Sequence, residues 1–89
     1  MIEKKIIVQN RAGIHARPAT LIAQKANEFS SDIAILRDEK KYNAKSVIGV
    51  MTMTASYNTE LTLQINGEDE AEAVEAISLL FDNKFEEDE

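Results

Sequence analysis

The apolar residues of this chain fall in one-sided runs, and that restricts what it can fold into more than any other property. Leu61, Leu63 and Ile65 alternate with Thr62 and Gln64, which is the period of a strand with one buried face. Ile2, Ile6 and Val8 read as a first strand and Ile33 and Ile35 as a second. Lys40 to Asn43 form a short third strand after a tight turn at Asp38-Glu39, where glycine would be easier than Glu39. Ala19, Ile22, Ala23, Ala26 and Phe29 recur at helical spacing and predict an amphipathic helix over residues 16 to 28. Val47, Ile48, Val50, Met51 and Met53 predict a short apolar helix beginning just after Ser46. Ala73, Val74, Ile77, Leu80 and Phe81 supply the buried stripe of a third. Asn66-Gly67 turns the chain into that last helix, where Asp69 and Glu72 have capping-box spacing. Half-buried strands and one-faced helices in the order βαββαβα are satisfied most economically by an α+β fold, a four-stranded antiparallel sheet covered on one side by three helices.

The chemistry concentrates at Gly13-Ile14-His15-Ala16-Arg17-Pro18-Ala19, which holds the only histidine and the only proline. Proline is tolerated in the first turn of a helix, where its missing N–H would have had no intrahelical partner, so Pro18 fixes the helix start near Ala16 and puts His15 at the N-cap. The free backbone N–H groups of that first turn, those of Ala16 and Arg17, and the positive end of the peptide dipoles favour an anion there. Arg17 adds a permanent charge with the fork geometry of phosphate recognition. Gly13 lets the preceding backbone bend as other residues resist. A neutral imidazole nitrogen is a nucleophile, so these parts suit a phosphorylated histidine. A metal centre is disfavoured by one histidine, no cysteine and no carboxylate at helical ligand spacing from His15. Nothing local suggests a hydrolytic triad.

Eighty-nine residues suffice for a single domain, 1 to 89, with residues 86 to 89 expected to fray as an acidic tail. With no cysteine, no bilayer-length apolar run and no basic-then-apolar leader, the expected compartment is the cytoplasm, without membrane insertion. The net charge of -6 conceals an asymmetry: residues 1 to 59 carry +4 and residues 60 to 89 carry -10. The part containing His15 therefore suits an acidic protein surface or a phosphate, and the acidic part would repel nucleic acid.

The histidine motif and a second one, Asn43-Ala44-Lys45-Ser46-Val47-Ile48-Gly49-Val50-Met51, stand at the distance and in the order found in the HPr family. These are the histidine-containing phosphocarriers of the bacterial phosphoenolpyruvate-dependent sugar phosphotransferase system. The chain resembles that family over nearly its whole length. The resemblance implies an open-faced β-sandwich and a monomeric carrier, not an enzyme, that needs no cofactor of its own. It implies that a ring nitrogen of His15 takes a phosphoryl group from Enzyme I and passes it to the IIA domain of a sugar-specific transporter.

Ser46 directly precedes the second helix, where a serine oxygen caps. In low-GC Gram-positive relatives the matching serine is a target of HPr kinase/phosphorylase. The modified form there is a poor substrate for Enzyme I and a corepressor with catabolite control protein, so the resemblance implies a regulatory site at Ser46. Val47, Ile48 and Met51, with Ala16, Thr20 and Gln24 along the first helix, are expected to form a small docking patch ringed by Arg17 and Lys45. The alternative reading is an HPr-like regulatory module that acts as corepressor or adaptor through Ser46 and the patch. Retention of His15 argues against it. One segment, Thr52 to Thr59, departs from the family pattern, which tends to glycine at the positions of Thr54 and Asn58. A β-branched Thr54 is not expected to take a left-handed conformation cheaply.

Overall fold

The computed structural model describes residues 1 to 87. Its elements are β1 (Ile2–Ile7), α1 (Ala16–Ala26), β2 (Asp32–Arg37), β3 (Lys40–Asn43), α2 (Val47–Thr52), β4 (Glu60–Asn66) and α3 (Glu70–Asp82), followed by a 3₁₀ turn at Lys84–Glu86. The strands form one antiparallel sheet in the order β1-β4-β2-β3. Register follows the one-sided pattern. Ile6 pairs with Leu61, Ile35 with Leu63 and Ile33 with Ile65, which puts these buried side chains on the face toward the helices. Slipping any pair by one residue would carry the whole set to the solvent face. Because β4 lies between β1 and β2 and opposes both, those two strands run parallel and α1 crosses over between them. The end of β1 and the segment entering β4 therefore meet. Val8 donates to the Thr59 carbonyl and accepts from the Asn58 N–H.

The Asp38-Glu39 turn takes the conformation its length demands, with φ of 51° and 69° at its two central residues. Helix α1 ends at Ala26, two residues before the predicted end, because Asn27 folds its side chain back. Its Nδ2 donates to the Ala23 and Lys45 carbonyls at 2.8 and 3.0 Å, so the residue closes the helix instead of continuing it.

The capping box expected from Asp69 and Glu72 is not made. The Asp69 carboxylate instead accepts from the Ser30 and Ser31 N–H groups and the Ser31 hydroxyl, binding the α1–β2 connection to the start of α3. Glu70 takes the nearby role. Its Oε1 accepts from the Gly67 N–H at 3.0 Å and its Oε2 from the amino group of Met1.

Thr54 does adopt the left-handed region, with φ of 52°, and Asn58 does so at 71°. The expectation that a β-branched residue would avoid it is overturned by Arg37. Its Nη1 lies 2.6 Å from the Met53 carbonyl, 2.7 Å from the Thr54 carbonyl and 3.1 Å from Thr54 Oγ1. Charge-assisted bonds of this kind are among the stronger ones, and they hold the chain where it leaves α2.

Three consecutive residues after α3, Lys84, Phe85 and Glu86, also have positive φ, between 52° and 61°. Such a conformation costs roughly 1–2 kcal/mol per residue. It is offset by Phe85, whose ring is fully buried and packs edge-on against Phe81 at 4.8 Å between centroids, and by backbone bonds from Glu86 to Asn83 and Glu87 to Lys84. Within the stretch 86 to 89 expected to fray, Glu86 and Glu87 make these backbone bonds directly after the buried Phe85. Asp88 and Glu89 lie outside the described residues.

The Asp69 staple carries a pH signature. The bonds from Ser31 and Ser30 lower its pKa from 3.8 to about 2. A carboxylate whose pKa falls on folding adds stability that is full above the unfolded value and is lost as pH drops through the folded one. Asp69→Asn should therefore be less stable than the parent above pH 4, with the difference closing toward pH 2, as urea titrations across that range would measure.

Candidate functional site

The loop from Val8 to His15 is shaped by one turn and one cross-link. Gly13 donates its N–H to the Asn10 carbonyl, and the Ile14 N–H donates to the Ala55 carbonyl at 2.8 Å. Gly13 sits at φ 75°, and a Cβ there would approach Ala55 O to 2.8 Å, so both the conformation and the close approach require glycine. His15 then has extended backbone (φ -101°, ψ -165°) and stands at the N-cap of α1, while Pro18 is buried in the first turn.

The histidine does not cap. Its side chain makes no bond to the first-turn amides, and among the described residues no side chain accepts from the Ala16 or Arg17 N–H. The imidazole is 44% exposed. Arg17 is exposed too, and its guanidinium makes no hydrogen bond or ion pair with another described residue. An exposed ring, uncommitted amides at a helix start and an uncommitted guanidinium are together able to receive a small dianion.

Two residues that sequence reasoning missed complete the surroundings. The Glu87 carboxylate reaches His15, with Oε2 2.6 Å from Nε2, and its Oε1 accepts from Asn10 Nδ2 at 2.9 Å. Asn10 is fully buried, and the same Nδ2 donates to the Gly13 carbonyl at 2.7 Å. Two acceptors facing one end of the amide fix which end that is, since the reversed amide would set oxygen against oxygen. Burial raises the Glu87 pKa, but the bonds from Asn10 and His15 and the charges of His15 and Arg17 outweigh it and hold the carboxyl below its ordinary value. The available signals were slight: an asparagine three residues before a glycine, and a lone aromatic, Phe85, inside an acidic run.

The second motif is built separately. Ser46 is the N-cap of α2, its Oγ accepting from the Gly49 N–H at 3.0 Å, which is the capping role its position predicts. Ile48 is 78% exposed and Met51 41%, whereas Val50 and Met53 are buried in the core and Val47 is half-buried against it. On α1, Ala16 and Gln24 are exposed, and half-buried Thr20 turns its hydroxyl back to the Ala16 carbonyl. Lys45 does not offer a free ammonium to the rim of the patch, because its Nζ donates to the Phe29 carbonyl at 2.9 Å.

The result is a small α+β domain whose one-sided sheet and helices present an exposed histidine beside free helix amides. The family described as "PTS HPr component phosphorylation site" matches residues 2–83. The phosphocarrier protein HPr of Treponema pallidum is 52% identical over 88 residues, covering 99% of this chain and all of that one. The HPr-like protein Crh of Bacillus subtilis is 46% identical over 78 residues, covering 88% of this chain and 92% of that one. The crystal structure of HPr-C-His from Thermoanaerobacter tengcongensis superposes with a TM-score of 0.95 at 43% identity, each chain covered completely. The chain belongs to the HPr family, the phosphocarriers of the phosphotransferase system.

Gly13→Ala should cost more than about 1 kcal/mol, since the substitution meets both a positive φ and a backbone oxygen. Thermal unfolding checks the loss.

Proposed function

We propose that this chain takes a phosphoryl group from Enzyme I on His15 and delivers it to IIA domains of sugar transporters in the cytoplasm, acting as a monomer and as a substrate of transferases instead of a catalyst. The observation that carries this reading is the exposed imidazole at the start of α1, with the Ala16 and Arg17 amides and the Arg17 guanidinium uncommitted around it. The ring nitrogen's lone pair attacks phosphorus as the donor's bond to phosphorus breaks and its electron pair leaves with the donor. The same step runs in reverse toward the acceptor. Helix amides and one guanidinium stabilise the phosphoryl oxygens without enclosing them, which suits a group that must be handed on. His15, Arg17, Asn10 and Glu87 all come from one chain, so a single copy suffices.

In this reading the patch of Ala16, Thr20, Gln24, Val47, Ile48 and Met51 docks both partners, and Lys45 contributes by bracing the loop before α2. Ser46 is a regulatory site for a kinase of the HPr kinase/phosphorylase type. A phosphate there would replace a neutral cap with a dianion at the favourable end of α2, altering the surface more than the fold. A second use, as corepressor or adaptor with a catabolite control protein, is supported by the likeness to Crh.

Mixing the protein with labelled phosphoenolpyruvate and Enzyme I should give an acid-labile, base-stable phosphate that is absent from His15→Ala. Label retained by that variant, or none on the parent, would reject the carrier. Ile48→Asp, at a site 78% exposed, should leave stability within about 0.5 kcal/mol while slowing transfer from Enzyme I. Unaltered kinetics would remove the patch from the mechanism.

A further inference from the structure

We infer that Arg37 is a positioning residue for His15: its guanidinium holds Thr54 in the left-handed conformation that aims the Ala55 carbonyl at the Ile14 N–H, and that bond sets where the imidazole stands. This rests on the carrier reading above.

Arg37 follows Ile33 and Ile35 at strand period, which sets its side chain on the face toward the helices. That side chain is only 28% exposed, and a cation so withdrawn from water needs partners. The Asp38 carboxylate, itself exposed and 3.8 Å from Nε, contributes little. The chain leaving α2 supplies the rest. Nη1 lies 2.6 to 3.1 Å from three oxygens there, the Met53 and Thr54 carbonyls and Thr54 Oγ1.

Those three bonds fix one torsion. Met53 and Ala55 are both buried, while Thr54 between them is exposed with φ of 52°. Glycine would reach that conformation unaided, whereas a β-branched residue is driven out of it. The clamp from β2 provides what threonine lacks. Relaxation at Thr54 would turn the chain after it, beginning with Ala55. The Ala55 carbonyl accepts from the Ile14 N–H at 2.8 Å and is the atom for which Gly13 leaves room. Ile14 immediately precedes His15, so the route from Arg37 to the imidazole runs through main chain at every step. The same helix end also belongs to α2, which carries Ile48 and Met51. Disturbance of that patch has a different kinetic signature: weakened docking raises KM, whereas a misplaced nucleophile lowers kcat.

The test uses the full chain as parent, Arg37→Met, Thr54→Gly and the two combined, with His15→Ala as the blank for labelling. One readout is hydrogen exchange at the Ile14 N–H, measured against the Leu63 N–H of strand β4 as a report of global opening. The other is kcat and KM of each protein as the substrate that Enzyme I labels from phosphoenolpyruvate. Arg37→Met should speed exchange at Ile14 about tenfold more than at Leu63 and lower kcat about tenfold with KM within about twofold. Tenfold is about the low end of what a lost hydrogen bond to a charged group is worth. Made in the Thr54→Gly background, the same substitution should change either readout by less than about twofold, because glycine holds the turn without the clamp. Equal acceleration at Ile14 and Leu63 would overturn the inference, since Arg37 would then serve only overall stability. A raised KM at unaltered kcat would overturn it as well, moving the effect to the patch, and so would an equal loss in the Thr54→Gly background. Where Arg37→Met alone fails to fold, the combined variant decides: labelling as fast as Thr54→Gly upholds the role, and labelling about tenfold slower overturns it. A parent that takes no label overturns the carrier reading, and the positioning role with it, even where exchange at Ile14 answers to Arg37 as described.

Discussion

The hydrogen bond from the Ile14 N–H to the Ala55 carbonyl, 2.8 Å long, joins the two connections that the fold must bring together for the site to exist. One leaves β1 and the other enters β4. The sheet order places those strands side by side, and Gly13 has no side chain to hold the backbones apart. With that bond made, the next residue is set at the mouth of α1 in extended conformation, and Pro18 begins the helix immediately behind it. The functional group is thereby placed by main chain and by a proline ring, neither of which can change rotamer. Only the imidazole itself is left to turn, and in the structure its Nε2 meets the Glu87 carboxylate.

How far the chain could be read in advance depended on the range of the interaction. Strands and helices were legible because period-two and helical spacing are local, and the location of His15 was legible because Pro18 fixes a helix start from sequence alone. The end of α1 was not, because Asn27 closes it by bonding to Lys45, eighteen residues away. Asp69 looked like half of a capping box, and its spacing was right. The donors it found, Ser30 and Ser31, lie in a different loop, where they compete better than its own helix. Thr54 follows the same logic. Its torsional cost is local and visible, but the Arg37 bonds that offset it come from β2.

The tail sets an apolar anchor inside a charged run. A run of acidic residues ordinarily argues for solvation and disorder, and counted by charge alone Glu86 and Glu87 belong to such a run. One phenylalanine changes the outcome, because its burial holds the backbone and lets the following carboxylate sit beside a histidine and an arginine from the oppositely charged part of the chain. The asymmetry between the two parts is then a source of attraction within the molecule.

Glu87 lies 72 residues downstream of the imidazole it touches. β1 and α1 lie near one end of the chain and the turn after α3 near the other, so the surroundings of His15 are complete only when both are in place. The surroundings of His15 are thus drawn from the two ends of the chain, and the fold has to bring them together.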